Sequence, residues 1–187
     1  MTHDGRFDSV VSLACHDLRT PLATIYGFAR TLPRVVELDE RSGRYVQLIT
    51  EASEQMTELL DQLRTAAQIE GQRWEPGLVE ASTLELASSE DARIDATGNG
   101  ETIETDATAV SRGLQALGVA AARFGPVPTV TWTVGGRTLE LAPVTASAGP
   151  VLMGEEIRDL GSIVARVVIE ALGGSFELDG ETLRVAL

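Results

Sequence analysis

Two stretches of seven-residue apolar repeat, joined by a short link, constrain this chain more than anything else in it. In the first, Phe7, Val11, Ala14, Leu18, Leu22, Ile25, Ala29 and Leu32 step by 4, 3, 4, 4, 3, 4 and 3 residues. At about 100° per residue they fall within about 40° of one line on a helix. In the second, Tyr45, Ile49, Ala52, Met56, Leu59, Leu63 and Ala66 step by 4, 3, 4, 3, 4 and 3, an uninterrupted a/d seam. The spacing predicts one helix over 7–32, stopped before Pro33, and another over 39–70, ended by Gly71. Joined through 33–39, they form an antiparallel hairpin. One hairpin cannot bury both stripes fully, whereas two can, so the pattern predicts a homodimeric four-helix bundle.

The extra four-residue step between Leu18 and Leu22 is a stutter, which locally unwinds a coiled coil. Pro21 sits inside it, removes one intrahelical hydrogen bond and frees the carbonyl of Asp17, so the helix is expected to bend or loosen there. His16 falls opposite the apolar stripe, with Asp17 beside it and Thr20 one turn along. A histidine held off the core stripe is available for chemistry. Asp17 can accept a hydrogen bond from one ring nitrogen and fix the tautomer, which leaves the other nitrogen as a nucleophile.

The segment 7–32, read as F-x-x-x-x-S-L-A-C-H-D-L-R-T-P-L-A-T-I-x-G-F, resembles the H-box of sensor histidine kinases. In that family the histidine takes a phosphoryl group from ATP and passes it to an aspartate of a response regulator. The resemblance implies His16 as the phosphoryl acceptor, with Asp17 and Thr20 as its catalytic neighbours. Thr20 either orients a water for dephosphorylating the partner or is an exposed helical threonine. Arg19 either neutralises phosphoryl charge or makes a surface pair. Ala23 and Gly27 continue the His16 face with small side chains and would let a partner approach closely. The partner implied is a response-regulator receiver domain, which brings its own acidic pocket and Mg²⁺. No metal ligand and no cofactor-binding residue is therefore assigned in this chain.

After Gly71 the period changes, and 71–77, with Trp74 and Pro76, reads as a linker. The expected organisation is a helical hairpin over 1–72 and an α/β domain over 78–187. In the second part, 78–88 reads as a short helix. Residues 92–97 and 102–105 read as strands about a Gly98-Asn99-Gly100 turn, and 106–124 as a capped helix. Then come a strand over 127–134, a Gly135-Gly136 turn, a return strand over 138–141, a loop over 142–154 and a helix over 157–172. A terminal hairpin about Asp179-Gly180 ends the chain. The sum is a mixed sheet with helices on one face.

This order resembles the ATP-binding domain of the same kinases, a Bergerat-type α/β sandwich, but in degenerate form. The stretch 114–124 lines up with the family's N-box helix, and Ala116 and Ala120 stand where the family has two asparagines. Alanine offers no oxygen to Mg²⁺. Where the family's Asp-x-Gly-x-Gly box reads adenine, residues 142–149 contain no acid. The lid loop is short, and 159–163 keeps one glycine, Gly161, where the family has two or more. ATP binding is therefore expected to be lost.

Composition narrows the partners. A net charge of −13 argues against nucleic acid, and residues 76–187 alone carry 16 acids against 7 arginines. All 15 basic residues are arginine. No apolar run approaches the ~18 residues that span a bilayer, and the polar start shows no signal-peptide pattern. The single cysteine, Cys15, reads as a half-buried filler and fits a reducing compartment, so a cytoplasmic protein is expected. Residues 1–6, with His3, read as a frayed tail. The function expected is that of a histidine phosphotransfer protein resembling bacterial histidine phosphotransferases. The alternatives are a pseudokinase scaffold, or an active but divergent histidine kinase or a fragment of one.

Overall fold

The structure, a computed structural model, describes residues 6–187, with side chains from Val10 onward. Residues 1–5 of the expected tail, with His3, and the Phe7 side chain of the first stripe lie outside what is described, while Arg6, expected in that tail, begins the first helix. The chain divides into two compact units, Met1–Arg73 and Trp74–Leu187.

The first unit is a hairpin of α1 (Arg6–Val35) and α2 (Glu40–Glu70). Helix α1 runs through both Pro21 and Pro33, so Pro33 does not stop it as the sequence predicts. A proline removes only its own donor, and the ladder resumes behind it with Val36 N–H donating to Leu32 O at 3.1 Å. Asp39 caps α2, accepting from the Ser42 backbone N–H, and that hydrogen bond holds its carboxyl below the usual carboxylate range. Gly71 closes the helix.

Within the hairpin the buried seam is Cys15, Leu22 and Ala29 on α1, and Val46, Ser53 and Ala67 on α2. All are spaced by seven or fourteen residues. Cys15 is 1% exposed, not the half-buried filler expected, because the hairpin seals along one flank of the stripe and not along its centre. Ser53 is tolerated there because its Oγ donates to Ile49 O of its own helix at 2.7 Å. Most of the rest of both stripes, including Leu18, Ile25, Leu32, Ile49, Met56, Leu59 and Leu63, stays exposed on the hairpin.

The second unit is built from β1 (Val79–Ser82), α3 (Thr83–Ala87), β2 (Ile94–Gly100), β3 (Thr102–Thr105), α4 (Ala107–Phe124), β4 (Val130–Gly136), β5 (Thr138–Ala142), α5 (Gly149–Leu152), α6 (Leu160–Ala171), β6 (Ser175–Asp179) and β7 (Thr182–Ala186). Its main sheet has the order β2-β4-β5-β7-β6, parallel between β2 and β4 and antiparallel elsewhere. Val130, Trp132, Val134, Leu139, Leu141, Leu183 and Val185 alternate along their strands and are buried on one face. They form one core with Val110, Leu114, Leu117 and Ala121 of α4 and with Ala165 and Ile169 of α6. This is the mixed sheet covered on one face that the sequence implies.

Four local expectations are corrected. Residues 78–88 hold a strand and a single helical turn in place of one helix. The loop over 142–154 contains the short α5, and α6 begins at Leu160, three residues later than expected. Gly98-Asn99-Gly100 is not a hairpin turn, since β2 runs straight through it beside β4, while β3 pairs with β1. The glycines serve close approach: Gly98 has φ +112°, and a Cβ there would lie 2.2 Å from Val134 O. Buried Thr83 closes this corner, its Oγ1 donating to Gly136 O at 2.6 Å and accepting from Glu101 N–H at 3.0 Å.

Candidate functional site

His16 stands on α1 one turn before Pro21 and projects from the exposed side of the hairpin. Its side chain is 75% accessible and that of Asp17 is 67% accessible. His16 Nδ1 lies 3.2 Å from Asp17 Oδ1. A carboxylate accepts, so Nδ1 is the donor in this pair, and in the neutral imidazole Nε2 then keeps its lone pair. The structure thus brings the histidine and its neighbouring acid together, with one ring nitrogen engaged and the other turned to solvent.

An open concavity beside the ring is lined by His16, Arg19, Thr20, Ala23 and Thr24. Thr20 is exposed there, and its backbone oxygen accepts from Thr24 Oγ1 at 3.1 Å. Ala23 and Gly27 are exposed on the same helix, and a Cβ added at Gly27 would meet nothing within 4 Å. Arg19 makes an ion pair, with Nη2 donating to Asp61 Oδ1 of α2 across the hairpin. The sequence gives no signal for Asp61, which lies 42 residues away among the polar positions of α2. A second cross-hairpin contact follows two turns on, where Tyr26 OH donates to Glu54 Oε1 at 3.0 Å and accepts from Arg30 Nη1 at 2.8 Å.

In the second unit, Ala120 of α4 is buried and Ala116 half-buried. At the end of α4, Ser147 Oγ donates to Phe124 O at 2.8 Å, and the guanidinium groups of Arg123 and Arg158 lie 5.4 and 5.2 Å from the Phe124 ring centre. Asp159 caps α6, its Oδ1 accepting from Ser162 N–H at 2.8 Å, and its other oxygen lies 4.0 Å from Arg123 Nη1. Helices α4 and α6 are close enough that a Cβ on Gly113 would sit 3.3 Å from that of Ala165. Among the described residues, no three His, Cys, Asp or Glu side chains converge as a metal site would require, and no helix is long and apolar enough to cross a membrane.

Comparison with known proteins agrees with this geometry. Residues 8–72 match the His Kinase A (phospho-acceptor) domain. No curated protein compared with the chain matches it. Full-length ShkA, solved in complex with AMPPNP, superimposes with a TM-score of 0.66 at 18% identity, over 95% of this chain and 44% of that one. The chain thus spans less than half the length of ShkA. The histidine kinase AdeS of Acinetobacter baumannii superimposes with a TM-score of 0.53 at 18% identity, over 91% of this chain and 94% of that one. At such identities these likenesses establish the fold, a helical hairpin followed by a kinase-type α/β unit.

Proposed function

We propose, for a chain whose residues 8–72 match the His Kinase A (phospho-acceptor) domain, the role of a dimeric histidine phosphotransfer protein in two-component signalling. It exchanges a phosphoryl group between His16 and the aspartate of a receiver domain. The observation that carries this reading is the exposed His16 ring with Nδ1 held by Asp17.

In the transfer, the Nε2 lone pair attacks the phosphorus of the receiver's aspartyl phosphate. The P–O bond to the carboxyl breaks, and the carboxylate leaves with the electron pair. Nδ1 keeps its proton, and the ring becomes a phospho-imidazolium whose positive charge faces the Asp17 carboxylate. No proton has to move, so the step depends on positioning and charge neutralisation. The receiver supplies the Mg²⁺ that such acidic pockets hold. Exposed Ala23 and Gly27 leave the flank of His16 open to it, and Thr20 faces the same concavity, where it can orient a water.

The residues of the second unit do not fit Mg-ATP. Ala116 and Ala120 offer no oxygen to a metal, and 142–149 has no acid to read a base. The N-terminus of α6, where a helix would favour a phosphate, is filled by the Asp159 carboxylate. Dimerisation follows from the exposed parts of both stripes, which a second copy would cover as a four-helix bundle.

The test mixes the purified chain with receiver domains carrying labelled aspartyl phosphate. Label should pass to the wild type and back. It should be absent in His16→Ala and transferred at least about tenfold more slowly in Asp17→Asn. If His16→Ala still exchanges label, or no receiver labels the wild type, the chain is a scaffold and not a carrier. Labelling of His16 by Mg-ATP would make it a kinase.

A further inference from the structure

Arg19 lines the concavity beside His16, yet its far end is held from the other helix, through Nη2 to Asp61 Oδ1. The two side chains are 34% and 39% exposed, so the pair is partly sheltered. A guanidinium has five N–H donors in a rigid plane, and this contact uses one of them. Among the described residues, no contact occupies Nε or Nη1. Arg19 follows His16 by three residues, on the neighbouring helical position.

We infer that Asp61 is a positioning residue for phosphoryl transfer at His16, anchoring one edge of the Arg19 guanidinium so that its other edge faces the phosphoryl oxygens. The inference rests on His16 being the phosphoryl acceptor. A phosphoryl group in transfer spreads its charge over three equatorial oxygens, and a cation already in place stabilises them without reorganising. A free arginine side chain would have to be ordered at that moment from many rotamers. Asp17 cannot serve, because it is an acid and faces the opposite ring nitrogen.

The experiment uses phosphoramidate as donor, so that no partner protein has to dock. Nε2–P forms, the P–N bond of phosphoramidate breaks, and ammonia leaves. Phosphohistidine formation on the full chain is followed by ³¹P NMR across donor concentrations, with His16→Ala giving the background. Asp61→Asn should slow labelling about tenfold, and Asp61→Glu should recover most of the rate. In an Arg19→Ala background, Asp61→Asn should change nothing further. The swapped pair Arg19→Asp with Asp61→Arg restores the bridge, and with it any purely structural role, but should stay slow. A wild-type rate in Asp61→Asn overturns the inference, as does the same slowing without Arg19 or full recovery in the swapped pair. A wild type that labels no faster than His16→Ala overturns the acceptor reading itself, which is a separate outcome.

Discussion

Asp159 and Ser162 close the start of α6 upon itself, with the carboxylate accepting the Ser162 backbone N–H at 2.8 Å. A free helix N-terminus attracts phosphate through its unpaired N–H groups and its dipole. Here an acid of the same chain already occupies that place and would repel a second anion. Mg-ATP is therefore expected to bind more weakly than about 1 mM, and calorimetry giving a micromolar constant would refute this. Asp159→Ala should cost about 1 kcal/mol of stability in urea denaturation. It should not create an ATP site, because Ala116, Ala120 and the acid-free 142–149 remain.

Gly98 is a point of close backbone approach in the β2–β4 pairing. A methyl group there would lie 2.2 Å from Val134 O, at a φ of +112°. Neither backbone can retreat without breaking the parallel register from Ile94↔Val130 to Gly100↔Gly136. Gly98→Ala should destabilise the α/β unit by at least about 2 kcal/mol, read as a lower midpoint in its denaturation. Gly27→Ala, with open space around its Cβ, should leave stability unchanged or raise it slightly.

Asp91 gives the clearest acid-side titration. Hydrogen bonds from the Arg93 side chain and then from its backbone N–H hold the carboxyl at about 2. A carboxyl lower in the folded than in the unfolded chain binds its proton first in the unfolded state. Its stabilising contribution is therefore present above the ordinary carboxylate value of about 3.9 and fades as pH falls toward about 2. The stability difference between wild type and Asp91→Asn should shrink over that window, followed by urea denaturation at stepped pH. A difference that is constant from pH 6 to pH 2 would contradict it.

The sequence carries the helical hairpin and the mixed sheet openly, because both rest on periodicity. What it conceals rests on distant contacts. Gly98-Asn99-Gly100 has turn chemistry, but the parallel partner β4 lies beyond a whole helix, and its close backbone decides the outcome. Cys15 and Ser53 are chemically unremarkable, yet they define the hairpin seam, because the two helices meet along the flank of each stripe. His16 and Asp17 are legible as neighbours in sequence. Asp61 is not, since only the pairing of α1 with α2 brings it to Arg19.

The two flanks of the α1 stripe make the last prediction. Leu22 is 4% exposed within one hairpin, while Ile25, three residues on, is 51% exposed. If a second copy covers the exposed flank, the two positions fail in different ways. Leu22→Ala leaves a cavity inside the hairpin and should cost about 2–4 kcal/mol, lowering the melting temperature at every concentration without changing the stoichiometry. Ile25→Asp places a charge in the shared core and should act on association instead. Light scattering should find the wild type dimeric at micromolar concentration. Its melting temperature should rise with concentration, since the dimer binds only folded chains. In Ile25→Asp that dependence should move to much higher concentration, with helix content lost on dilution. A wild type that is monomeric and fully helical at micromolar concentration would remove the dimer, and Ile25→Asp would then behave like any exposed substitution.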